Sequence, residues 1–233
     1  MKILGISGSP RAPEISGVYK LVKIVLEATE MDYEIISLRG KNISGCVACL
    51  GCVKDNICKI EDDMLDLRDK IIEADAYVIG APNYYMGINA LTRAFLERFH
   101  QFRHRMGTTL WGKLAVAVGV GGFSGQVCCD QIEQIMGYRF IETIAKVAGQ
   151  GAASCYTCGY GQSCQVGVPV MFHGEDVKIT DELIPDVLKQ PELIASAKQA
   201  GRLLKHRLTN NDDSWEVAEK LQEMMMEKSK TSA

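Results

Sequence analysis

No run of about 20 apolar residues occurs anywhere in the 233-residue chain, so no segment reads as a membrane-spanning helix. No charge of one sign dominates. Against 26 Lys and Arg stand 29 Asp and Glu, a net charge of −3, which gives no electrostatic support for binding nucleic acid or an anionic membrane. The first ten residues, MKILGISGSP, lack the apolar core of a signal peptide, so a cytoplasmic location is expected. There is no internal repeat of 20–50 residues and no low-complexity tract, which excludes solenoids and fibrous folds. Gly-x-x-x-x-Gly-Lys-Ser/Thr and Gly-x-Gly-x-x-Gly are both missing, arguing against ATP, GTP or a dinucleotide as the primary ligand. No Ser-His-Asp or paired-carboxylate arrangement supports hydrolysis. Cysteine is absent from the last 69 residues, and all nine cysteines lie between Cys46 and Cys164. In a reducing compartment such clustering points to metal or redox chemistry rather than disulfides.

What remains is an alternation of short apolar runs and helical patterns. KILGI (2–6), YEIISL (33–38), AYVIGA (76–81) and LAVAVG (114–119) read as strands, and a weaker signal covers 140–147. Two of these are apolar throughout, as in strands buried on both faces of a parallel sheet. Between them run helical patterns, one at Val18, Leu21, Val22 and Val25 with Ser16 as candidate N-cap, another opened by Asp62-Asp63-Met64. The pattern predicts an α/β fold, a doubly wound parallel five-stranded sheet in flavodoxin-like order 2-1-3-4-5. A cysteine-rich loop (39–60) follows strand two. Residues 1–150 would form the main domain. Residues 151–233 would hold a second cysteine segment and two C-terminal helices, about 191–208 and 213–228, packed on the domain or on a neighbouring subunit.

Three loops would lie at the carboxyl edge of that sheet, where such folds bind ligands. Ser7-Gly8-Ser9-Pro10-Arg11, between a strand and a helix, offers hydroxyls and free N–H groups to a terminal phosphate. Pro82-Asn83-Tyr84-Tyr85-Met86-Gly87 could lie beside a flat heterocycle. Gly119-Val120-Gly121-Gly122-Phe123 lets backbone approach a ring closely. A phosphate loop with two ring-facing loops suits FMN. With SGSPR, APNYYMGINALTRAFLERF and GVGGFSGQ in these places, residues 1–145 resemble the NAD(P)H-dependent FMN reductase branch of flavodoxin-like proteins. The resemblance implies that Ser9, Arg11 and Ser16 hold the FMN phosphate. It also implies that Pro82, Asn83, Tyr84 and Met86 line the isoalloxazine with Gly121 and Gly122.

CVACLGCVKDNIC (46–58) spaces four thiols as Cys-x2-Cys-x2-Cys-x5-Cys. Zinc sites usually separate two Cys-x2-Cys pairs by a dozen residues or more. Successive x2 intervals open a ferredoxin-type [4Fe-4S] loop instead, and six residues reach at most about 20 Å, so Cys58 can return to the same cluster. A zinc site and redox-active or buried thiols are the alternatives. Together with Asp62-Asp63-Met64 and the α/β frame, the motif resembles the iron–sulfur flavoproteins of anaerobic archaea and bacteria. That resemblance implies [4Fe-4S] ligation by Cys46, Cys49, Cys52 and Cys58, electron exchange with a ferredoxin-like carrier, possible use of NAD(P)H, and a homodimer or homotetramer. It implies an FMN-dependent oxidoreductase. A cluster-free NAD(P)H-dependent FMN or quinone reductase and a non-catalytic electron-carrier subunit are the rival readings. Lys54 and Lys59 flank the ligands and would favour a reduced cluster, or point to solvent.

Cys155, Cys158 and Cys164 repeat the trailing Cys-x2-Cys-x5-Cys. They are either a second metal site, completed by His173, Cys128 or Cys129, or packed thiols. Adjacent Cys128-Cys129 reads as helix packing. His100 and His104, set among Arg98, Arg103 and Arg105, read as a solvated basic face, and His206 likewise.

Overall fold

The computed structural model describes residues 1–105, 107–210 and 213–231. Its elements run β1 (Lys2–Ser7), α1 (Gly17–Glu27), β2 (Asp32–Ser37), α2 (Met64–Glu73), β3 (Ala76–Tyr84), β4 (Gly87–Ile88), α3 (Ala90–Glu97), β5 (Leu114–Gly121), α4 (Gln126–Gly137), β6 (Glu142–Gln150), α5 (Val168–His173), α6 (Pro191–Thr209) and α7 (Ser214–Thr231). Short 3-10 turns span Arg98–Arg103, Ser154–Tyr156 and Val187–Lys189.

Five strands pair in parallel in the order β2-β1-β3-β5-β6, with Ile3 opposite both Tyr33 and Ala76, and Leu114 opposite Glu142. This is the expected topology with one addition. The two-residue β4 folds back antiparallel on the end of β3, where the sequence predicts only a loop. The last strand begins at Glu142 rather than Phe140, because Phe140 takes a left-handed backbone (φ 55°) that a strand does not accommodate.

Alternate residues of each strand feed two cores, since successive side chains point to opposite faces. Ile3, Val78, Val116 and Val118 meet α1 and α6 on one face. Leu4, Ile6, Ile79 and Ala117 meet Met64, Ile71, Phe95, Phe99, Ile132 and Met136 on the other. Gly201 lets α6 settle on α1, where an added Cβ would stand 2.2 Å from the Val25 carbonyl oxygen. The segment from β6 to α6 contains no strand and lies against the loop after β5. No helix among the described residues is long and apolar enough to cross a membrane.

Candidate functional site

The loops after β1, β3 and β5 meet at one edge of the sheet, at the switch point where the chain order reverses around β1. Ser7, Ser9 and Ser16 are all buried there. The Ser9 hydroxyl accepts from the Arg11 N–H at 3.2 Å, and the Ser16 hydroxyl caps α1 by accepting from Tyr19 N–H at 3.1 Å. Ser7 Oγ has no protein partner, an open hydrogen-bonding capacity at the mouth of the loop after β1. Pro10 and Arg11 continue the same turn into α1.

Asn89 fixes this loop, and the sequence reading missed it. Its Oδ1 accepts from Thr92 N–H as the N-cap of α3, while its Nδ2 donates 2.9 Å to the Gly8 carbonyl. Gly8 N–H in turn donates to the Gly80 carbonyl at 2.8 Å. A Cβ at Gly8 would stand 1.8 Å from Thr92 Oγ1, so only glycine fits. An Asn just before a helical run is a readable cap. Its bond 81 residues back is not readable.

Pro82 and Asn83 lie in the last residues of β3, which ends at Tyr84. Asn83 Nδ2 donates to the Ser124 carbonyl at 2.9 Å, while its Oδ1 is buried without a partner. Tyr85 (φ 50°) and Met86 (φ 62°) are both left-handed and turn the chain into β4 at Gly87. This projects Tyr84, Tyr85 and Met86 outward, and Tyr85 is fully exposed. Across the edge, Gly121 packs where a Cβ would meet the Ser124 carbonyl at 2.2 Å, and Gly122 lies against Ala153. Phe123 is exposed beside Phe172, with ring centroids 5.7 Å apart. An unpaired buried hydroxyl, an unpaired buried amide oxygen, glycine-lined backbone and exposed aromatic side chains together fit a phosphorylated flat ring. Two cavities, of about 100 Å³ beside Arg103 and Arg139 and about 380 Å³ beside Asp75 and Trp215, lie away from these loops.

The loop after β2 carries Cys46, Cys49, Cys52 and Cys58, all free thiols. Burial first, then the nearby Cys58, Cys46 and Cys49 thiols, push the Cys52 thiol above its ordinary pKa. Ala48, Leu50 and Asn56 are left-handed (φ 53°, 57° and 56°), coiling the backbone between successive cysteines at a cost of about 1–2 kcal/mol each for Ala48 and Leu50.

Both ends of the loop converge on one buried ion pair. Arg98 Nη1 donates to Asp62 Oδ2 at 2.5 Å, with the two side chains only 1% and 3% exposed. Asp62 also accepts from Ser44 N–H and Met64 N–H, and Arg98 also donates to the Ser44 carbonyl. Burial alone would raise the Asp62 pKa, but the hydrogen bonds from Arg98, Ser44 and Met64 outweigh it and hold the carboxyl below its ordinary value. Asp63 closes the turn by accepting from Asn42 N–H at 2.8 Å. Gln101 accepts from Cys58 N–H at 3.1 Å. The expectation of a solvated basic face therefore fails at Arg98, which the Asp62 carboxylate draws into the core, and at the half-buried His100 and His104. Lys59 pairs with Asp55 at 2.6 Å.

The pair Cys128 and Cys129 is fully buried in α4, as expected of packing residues. Burial pushes both thiols up to about 12. Among the described residues, no three His, Cys, Asp or Glu side chains close on a single metal-sized point.

Residues 1–154 match the sequence profile of the NADPH-dependent FMN reductase family. The chain belongs to that family. As a member of the FMN reductase family it is an FMN-dependent oxidoreductase. An iron–sulfur flavoprotein of Methanocaldococcus jannaschii is 34% identical over 161 residues, covering 67% of this chain and 80% of that one. A second iron–sulfur flavoprotein, from Archaeoglobus fulgidus, is 27% identical over 228 residues, 95% of this chain and 89% of that one. Among solved structures, the Trp repressor binding protein from Bacillus subtilis superposes with a TM-score of 0.56 at 17% identity, over 86% of this chain and 98% of that chain. At that identity the likeness speaks for the fold alone.

Proposed function

We propose that this FMN reductase family member is an iron–sulfur flavoprotein that passes electrons between a ferredoxin-like one-electron carrier, a [4Fe-4S] cluster and FMN. The observation that carries the reading is the thiol loop. It holds four free cysteines within thirteen residues, three left-handed residues between them, and an Arg98–Asp62 pair that pins both ends. The names of the archaeal relatives support the same assignment.

In this reading Cys46, Cys49, Cys52 and Cys58 hold the cluster. Ser7, Ser9, Pro10, Arg11 and Ser16 hold the FMN phosphate, with the N-terminus of α1 supplying N–H groups and a favourable dipole. Pro82, Asn83, Tyr84, Tyr85, Met86, Gly87, Gly121 and Gly122 surround the ring. The cofactors supply the redox chemistry, because a cluster exchanges single electrons and a flavin can take two. The chain supplies position and environment. Buried Arg98 places a cation beside Cys58, which favours the more negative, reduced state of anything those thiolates bind. Val47 and Leu50 are exposed on the thiol loop and give a carrier, or a second copy in a homodimer or homotetramer, an apolar surface to meet.

The test is protein purified without oxygen, with iron, acid-labile sulfide and flavin assayed per chain. About four irons and about one FMN are expected, and Cys49→Ala should lose iron while keeping FMN. One FMN without iron, after anaerobic reconstitution has also failed, overturns the cluster. Direct reduction by NADH or NADPH would then establish a cluster-free flavin reductase.

A further inference from the structure

Residues 151–186 make up a lobe with almost no core. Its buried residues are Tyr156, Gly161, Gly167 and Pro169, while Tyr160, Val166, Met171 and Phe172 are exposed. It contains one 3-10 turn and the six-residue α5, and no strand. A segment that buries so little apolar surface needs another source of stability, and small folds of this kind use disulfides or metals. Three cysteines lie within it, and all are free thiols.

The backbone that carries these thiols is already folded together. Gly161 lies so close to Cys155 that an added Cβ would stand 1.9 Å from the Cys155 carbonyl oxygen, and at Gly167 it would stand 2.9 Å from the Cys164 carbonyl oxygen and 3.2 Å from that of Gly161. The Cys155-x2-Cys158 turn closes through Gly159 (φ 84°), a conformation glycine permits. That turn aims the Tyr160 N–H at Cys158 Sγ, 3.4 Å away, and sets Cys158 Sγ 3.5 Å from the Cys155 carbonyl oxygen. His173 ends α5 with its Nε2 3.5 Å from the hydroxyl of buried Tyr156, the residue next to Cys155. That contact leaves Nδ1 free, the arrangement in which one ring nitrogen is oriented by a partner and the other can ligate. The thiols of Cys128 and Cys129 are ruled out as the fourth ligand by their full burial under α4.

We propose that Cys155, Cys158, Cys164 and His173 bind one tetrahedral zinc-class ion that holds this lobe together beside the loop after β5. Three thiolates and one imidazole are a structural zinc donor set, and imidazole among the ligands favours a single ion over a ferredoxin-type cluster. The sulfurs and the imidazole are not gathered on one point in this structure, and binding the ion draws them together. The lobe lies against the loop after β5. The Gln150 side chain donates to the Gly122 carbonyl at 3.0 Å, Ala153 lies on Gly122, and Phe172 lies on Phe123. The site is independent of the four cysteines of the loop after β2.

The experiment measures zinc and iron per full-length chain in the wild type, in Cys158→Ser, in His173→Gln, and in a variant with Cys46, Cys49, Cys52 and Cys58 all changed to Ser. About one zinc is expected in the wild type and in the four-serine variant, which separates this site from the cluster loop. Cys158→Ser should lose the zinc, and His173→Gln should hold it at least tenfold more weakly. The four-serine variant, stripped of metal and titrated with Co2+, should give thiolate-to-cobalt charge-transfer absorption that saturates at about one equivalent. Wild-type protein that carries no zinc and takes up no Co2+ overturns the proposal, even if the variants fold poorly. So does zinc retained by Cys158→Ser. Iron and sulfide retained by the four-serine variant but lost from Cys158→Ser would overturn the single ion in favour of a second cluster.

Discussion

Asn89 acts in two directions at once, capping α3 through its oxygen and holding the Gly8 carbonyl through its amide nitrogen. Because both bonds are buried, Asn89→Ala leaves a donor and an acceptor unpaired, each at about 1–3 kcal/mol. Asn89→Asp keeps the acceptor for Thr92 but sets a buried carboxylate oxygen against the Gly8 carbonyl. The aspartate variant should therefore lose about 1–3 kcal/mol or more of stability and bind FMN about tenfold or more weakly, as read by flavin fluorescence titration. The alanine variant should lose both stability and affinity. Equal FMN affinity in the wild type and the aspartate variant would show that the Gly8 bond does not shape the phosphate loop. Ser9 and Ser16 were legible as site candidates because they stand in the strand-turn-helix corner itself. Asn89 was not, since its target lies in a different loop brought close only by the β1–β3 pairing.

Elements built from local periodicity were legible in the sequence. The five parallel strands and the main helices follow from apolar runs and 3.6-residue spacing, with ends displaced by up to three residues. Two features escaped for physical reasons. The β3–β4 hairpin turns through Tyr85 and Met86 rather than through Asn or Gly, so its two left-handed residues carry no turn signal. The inward Arg98 is set by Asp62, 36 residues away, and a short basic stripe cannot reveal such a partner. The hairpin yields a prediction at this scale. Left-handed Tyr and Met cost about 1–2 kcal/mol each, and strain of this kind persists where function uses it. Tyr85→Asn with Met86→Gly should raise the thermal midpoint by a few degrees while weakening FMN binding, because Tyr and Met side chains leave the ring side of the cleft. A higher midpoint with unchanged FMN affinity would reduce the turn to a structural accident.

For the whole molecule, the Asp62–Arg98 pair joins three parts of the chain, namely the loop after β2, the start of α2 and the 3-10 turn after α3. Its contribution to stability depends on pH with a definite sign. The folded pKa of Asp62 lies below the ordinary value of about 3.9. The unfolded chain therefore takes up the proton first as pH falls. The stabilisation is fully present above that value and is lost progressively as pH drops from about 4 through the lowered folded pKa. Removing one partner of a buried pair costs about 3 kcal/mol or more, so Asp62→Asn should be less stable than the wild type by that order at pH 7, measured by urea unfolding of the cofactor-free chain. The gap should hold steady down to about pH 5 and narrow at lower pH. Glu34 and Asp186, whose pKa values are also lowered, titrate in both proteins and cancel from the difference. A gap that stays constant to pH 3 would mean that Asp62 is not held as the buried carboxylate of this pair. The loop that carries Cys46 to Cys58 would then need a different anchor, and Arg98 would be a buried cation whose partner is the thiolates themselves.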